Sequence, residues 1–143
     1  MRRVNVSLRG AIDRAKTLRR VGGELERATN ELLAAANDGT PQSFLSAYRA
    51  LECIRRIYAP NWRDRETGWT LMSGDLAISL DADFSLLAKA AEAVRHGDVP
   101  SRQLADHVVN EARKRRPALL DFVRVAVRAA VDQHTKTTSN VVK

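Results

Sequence analysis

The side chains best suited to chemistry stand close together in this chain of 143 residues: Arg95-His96-Gly97, then Arg102 and His107. An arginine beside a histidine suits work on RNA. The guanidinium can grip a scissile phosphate through two N–H donors while the imidazole moves a proton during attack by the 2′-hydroxyl. Arg102 and His107 are five residues apart, which on an ideal helix sets them roughly 140° around the axis. A joint site then needs a helix start that departs from ideal geometry, or the same pair from a second subunit. The plainer account is structural. Arg95 and His96 just before Gly97 read as basic residues satisfying a helix C-terminus, and Arg102 and His107 as polar residues of a surface helix.

Charge is distributed as unevenly as the chemistry. The net charge is +7, and the cations gather at two places. One is the first 27 residues, with Arg2, Arg3, Arg9, Arg14, Lys16, Arg19, Arg20 and Arg27; the other is Arg113-Lys114-Arg115-Arg116, followed by Arg124 and Arg128. Residues 64–98 lean acidic instead, through Asp64, Glu66, Asp75, Asp81, Asp83, Glu92 and Asp98. Basic ends around an acidic middle point to a polyanion partner or to charge-complementary self-association. Arg95, His96, Arg113, Lys114, Arg115 and Arg116 are the candidate nucleic-acid contacts. No base-reading motif is present, so such binding would follow the phosphate backbone and weaken with salt.

Other chemistries find no support. Arg20-Val21-Gly22-Gly23 lacks the spacing and the lysine of a phosphate loop. His96, His107 and His134 lie on different segments, so a metal site is not expected, and neither is a cofactor. The single cysteine, Cys53, rules out an internal disulfide framework and reads as a small core residue beside Leu51 and Ile54. No apolar run follows Met1-Arg2-Arg3, and none approaches the roughly 18 residues of a membrane span. The expected location is the cytoplasm, without a membrane partner.

The elements that would position these residues read as helices. Val4, Leu8, Ala11, Ala15, Leu18, Gly22, Leu25, Thr29, Leu32 and Ala36 alternate in steps of four and three. This heptad seam predicts one long helix over 4–37, with a kink or break possible at Gly22-Gly23. Thr40-Pro41 opens a second helix, whose apolar face carries Phe44, Tyr48, Leu51, Ile54 and Ile57 before Pro60 stops it. Residues 60–71 show no period and read as a loop holding both tryptophans, Trp62 and Trp69, folded back on the bundle. A short helix over 74–80, one over 83–96, one from Pro100-Ser101 to about Arg116 and a last one from Pro117 to about His134 follow. Residues 135–143 read as a flexible tail. The expectation is a single all-α domain, an antiparallel helical bundle of about five main helices with a long N-terminal helix.

Three stretches carry a resemblance to a known family: Phe44 to Glu52 (FLSAYRALE), Leu87 to Gly97 (LAKAAEAVRHG) and Arg102-Gln103-Leu104-Ala105-Asp106-His107. Together they resemble the HEPN superfamily of helical domains over residues 41–134. The resemblance implies a bundle of four or five helices, often dimeric, with an arginine-to-histidine motif at the dimer interface. It also implies metal-independent ribonuclease activity or a binding role that has lost catalysis, in toxin–antitoxin, CRISPR or phage-defence settings. Arg102 and His107 match the motif's arginine and histidine, while Gln103 replaces the asparagine, aspartate or histidine usual after the arginine. On this reading the partner is RNA rather than DNA, and the chain is a homodimer or a subunit of a larger complex. The alternative is a protein-interaction bundle that dimerises through the 4–36 seam and has no nucleic-acid role.

Overall fold

Why α1 ends where it does is written in four residues. After Asn37, the Asp38 carboxylate accepts hydrogen bonds from the Thr40 N–H (2.8 Å) and the Thr40 hydroxyl (2.6 Å). These bonds hold the Asp38 carboxyl below its usual range. Thr40 Oγ1 in turn accepts from the Gln42 N–H at 3.3 Å, and the next helix starts one residue later than the Thr40-Pro41 pair suggests, with Pro41 in the N-cap position. The chain thereby reverses, and α1 (Arg2–Asn37) and α2 (Gln42–Tyr58) form an antiparallel pair. The far end of α2 stops because Ala59 is extended (φ −151°, ψ 95°), the conformation Pro60 imposes on the residue before it.

In this computed structural model, residues 2–96 and 102–142 are described, with side chains for 8–96 and 105–136. Beyond the first pair lie α3 (Arg65–Leu76), α4 (Ala82–Arg95), α5 (Arg102–Lys114) and α6 (Arg116–Val142), with a 3-10 turn at Trp62–Asp64. The described residues are helices and links without strands, and six helices replace the five expected. None of these helices is long and apolar enough to cross a membrane.

The sixth helix is α3, in the stretch read as a loop. Its buried positions are Gly68, Met72 and Leu76, with Trp69 half-buried, which is helical spacing. The period is invisible in the sequence because one of the three buried positions is a glycine and two threonines, Thr67 and Thr70, interrupt the apolar residues. The helix ends at Leu76, not Leu80. Ala77 adopts the left-handed conformation (φ 52°), its N–H bonds Gly74 O, and the Ile78 N–H bonds Ser73 O. This is a Schellman stop made with alanine where glycine is usual.

α2 is the central element and packs against α1, α3, α4 and α6. Phe44, Ala47, Leu51 and Ile54 are fully buried along one face of it. Met72 from α3, Leu87 and Ala90 from α4, Ala112 from α5, and Leu119, Val123 and Ala126 from α6 complete the core. Alanines are numerous here, so the helix axes can approach toward the short end of the usual 8–10 Å range. At one flank a chain of rings joins four helices: Tyr48–Trp69 (6.0 Å), Trp69–Phe84 (5.0 Å) and Phe84–Phe122 (6.4 Å). Trp69 therefore packs on the bundle as expected, whereas Trp62 is 63% exposed beneath the Arg65 guanidinium.

The seam of α1 divides in two. The helix runs through Gly22-Gly23 unbroken. From Leu18 onward, Leu18, Leu25 and Leu32 are half-buried, but Gly22, Thr29 and Ala36 are exposed, and Val21, Ala28 and Ala35 turn inward instead. The offset arises because α1 packs on both α2 and α6, so its buried stripe is broader than a two-helix seam. Before Leu18 the described side chains, from Leu8 to Thr17, are exposed apart from the half-buried Gly10. Arg20 bonds Arg56 O (2.8 Å) and Ile57 O (3.3 Å), so the end of α2 lies level with it. Residues 2–17 run on beyond that level for about 24 Å. The segment 135–143, expected as a tail, continues α6 to Val142; no glycine or proline follows Pro117 to stop it.

Candidate nucleic-acid interface

α4 begins at Asp81, whose side chain accepts from the Asp83 N–H at 3.0 Å, the N-cap role its position suggests. At the other end the His96 N–H bonds Glu92 O (2.9 Å) and its ring is exposed. Arg95 Nη2 reaches Glu52 Oε1 at 3.4 Å and so ties α4 to α2. Gly97 and residues 98–101 lie outside the described residues, as do the side chains of Arg102, Gln103 and Leu104. α5 includes both Arg102 and His107, so the two positions sit roughly 140° apart on one helix. Val108, Val109 and Ala112 turn toward the bundle, while Asp106, His107, Asn110, Arg113 and Lys114 are exposed. Among the described residues, nothing hydrogen-bonds the His107 ring, and Arg95, His96 and His107 do not meet.

The basic run at the α5–α6 junction is less available than its charge suggests. Arg115 clamps Asp83 at 2.9 Å and 3.0 Å, and Lys114 leans on Glu111 at 3.4 Å. Arg116 Nη2 bonds both Ala35 O (2.9 Å) and Asp38 O (2.8 Å), satisfying carbonyls at the end of α1. Arg113 has no such partner among the described residues. Arg116→Ala should therefore cost about 1–3 kcal/mol of stability by stranding those carbonyls. Arg113→Ala should stay within about 0.5 kcal/mol. Urea denaturation of the two variants side by side tests the difference; equal losses would mean the Arg116 bonds contribute nothing.

Two further groupings escaped the sequence. Between α1 and α2 an open groove of about 470 Å³ is lined by Arg27, Arg49, Arg56 and Arg95, with Glu31, Glu52 and Cys53. Its cations are largely matched, since Arg27 and Arg56 both pair with the buried Glu24 at 3.1 Å and 3.3 Å. Burial pushes the Cys53 thiol above its usual range, which suits a core residue and not a nucleophile.

The second grouping joins Tyr58, Asp75 and His134 from α2, α3 and α6. The Tyr58 hydroxyl donates to Asp75 Oδ2 at 2.5 Å and lies 3.2 Å from His134 Nε2. Because the phenolic proton points to the carboxylate, Nε2–H is the donor to Tyr58. Burial, then the bond to Asp75, raises the Tyr58 pKa, and burial lowers that of His134. Beside them opens a cavity of about 650 Å³ bordered by Asp75, Asp132 and Lys136. A protonated phenol and a neutral imidazole in this arrangement latch three helices together. No spacing could announce it, because the three residues are far apart in the chain. Among the described residues, no three metal-ligating side chains converge.

No curated protein and no solved structure matches the chain. A family model does match, over residues 10–123, a span from the overhang of α1 through the first part of α6. The chain belongs to that family, described as Domain of unknown function (DUF8168) C-terminal domain.

Proposed function

We propose that this chain is a HEPN-like, RNA-associated helical module that binds rather than cleaves, in a bacterial defence or toxin–antitoxin type setting. The observation that carries the reading is the outward side of α5. His107, Asn110 and Lys114 recur there at helical spacing with Arg113 beside them, while Val108 and Ala112 anchor the opposite side to the bundle. Such a ridge offers a guanidinium unpaired among the described residues, the Lys114 ammonium beside Glu111 and an imidazole to a phosphate backbone. Binding is favoured over cleavage because a general base needs an oriented ring, and no described side chain orients His107. Gln103 in place of the usual motif residue agrees with this.

Purified protein mixed with RNA should give a gel shift without cleavage. Arg113→Ala should weaken binding and lower the salt slope by about 0.7, the value for one contact to a single strand. His107→Ala should weaken it less. Metal-independent cleavage that His107→Ala abolishes would replace this reading with a ribonuclease. Absence of any shift at low salt would remove RNA from the account.

A further inference from the structure

The overhang of α1 carries a surface that its own bundle does not use. Leu8 is 62% and Ile12 47% exposed, and Ala11 and Ala15 are exposed beside them. On a regular helix these four fall within roughly 100° of arc, a coherent apolar stripe. The inward positions Ala28 and Ala35 lie roughly 140–160° around the same axis from Ala15. The stripe therefore faces away from the direction in which α1 meets its own neighbours. Arg9 and Lys16 border one edge, Arg14 the other, and Arg19 stands one turn beyond Ala15. Asp13 is the single carboxylate between residues 8 and 19. None of these four cations pairs with a carboxylate among the described residues.

We infer that this face docks an acidic amphipathic helix from a different polypeptide, an interaction independent of the RNA reading. Small Ala11 and Ala15, side by side next to Leu8 and Ile12, let a second helix approach closely. Cations on both borders of the stripe match carboxylates flanking the partner's apolar seam, as at the edges of a coiled coil. A phosphate backbone would use the cations and leave the apolar stripe wet. A second copy of α1 would bring like charges together along both borders. A lipid surface needs more large apolar side chains than Leu8 and Ile12 supply.

The test uses the full chain and two synthetic helical peptides with one Leu/Ala seam, flanked by Glu in one and by Lys in the other. Fluorescence anisotropy should show one Glu-flanked peptide bound per chain and none of the Lys-flanked one. Ile12→Asp and Leu8→Asp should each weaken binding at least about tenfold with the melting temperature unchanged. Arg14→Glu combined with Lys16→Glu should reverse the preference between the peptides. Equal affinity for both peptides, or none for the Glu-flanked one, overturns the proposal. So does a chain dimer that Ile12→Asp dissociates, which gives the face to a second copy. Binding to phosphatidylserine vesicles that Ile12→Asp abolishes gives it to a membrane. An RNA affinity lost on charge reversal, with peptide binding insensitive to Ile12→Asp, makes the overhang a polyanion contact.

Discussion

Phe44→Ala should destabilise the protein by about 3–5 kcal/mol, the loss expected when a large aromatic side chain leaves a cavity it filled. Phe44 is 1% exposed on the inner face of α2, the helix that touches four others. A hole there lies between elements that cannot all move in to close it, so the cavity penalty adds to the lost transfer free energy. Against a total of roughly 5–15 kcal/mol for a domain, such a loss approaches unfolding. Urea denaturation followed by far-ultraviolet circular dichroism measures it. Leu8→Ala is the matched control and should change stability by less than about 0.5 kcal/mol, because Leu8 is 62% exposed. A Phe44→Ala loss no greater than that of the control would mean that α2 is not the centre of the core.

Gly68→Val should be the second large effect, arising from overpacking rather than from a void. A Cβ at position 68 would stand 2.9 Å from Ala59 Cβ and 3.0 Å from Arg55 Cγ. Neither neighbour can yield. Ala59 is backbone-proximal and held by Pro60, and the buried Arg55 lies between the Trp62 and Trp69 rings with its Nη1 on Ala59 O at 3.2 Å. Forcing α3 away from α2 should cost about 2–3 kcal/mol and disturb Trp69 fluorescence. Gly74→Ala, on the same helix, meets nothing within 4 Å and should have the opposite sign. It should stabilise by about 0.5–1 kcal/mol through helix propensity. If both substitutions stabilise, the close approach at Gly68 is absent in solution.

The family match, over residues 10–123, includes both the overhang from Gly10 onward and the ridge on α5. The two surfaces are chemically distinct. The ridge is polar with an apolar anchor behind it, and the overhang is apolar with cations at its borders. That difference is why the Arg113 and Ile12 variants should separate RNA binding from helix docking instead of weakening both.

Much of this architecture can be derived from residue order alone. The helices around Leu18, Leu51, Leu87 and Val123 announce themselves by apolar period, and their ends by Asn37-Asp38-Gly39, Thr40-Pro41, Pro60, Asp81 and Pro117. These signals are local: each depends on residues within a turn or two of one another, so the linear chain contains them whole. What it could not contain was partnership. Gly68 conceals α3 because a glycine contributes no hydrophobicity where the neighbouring Ala59 and Arg55 leave no room for a side chain. Arg113 and Arg116 look alike in sequence, yet one is exposed and the other bonds carbonyls about 80 residues away. The heptad seam of α1 reads as one continuous face, and only the three-dimensional meeting of α1 with α2 and α6 divides it at Leu18. Tyr58, Asp75 and His134 likewise become neighbours only when three helices pack. Local helix formation is decided by nearest neighbours, whereas burial, pairing and exposure are decided by which distant faces arrive, and that is a property of the packed chain.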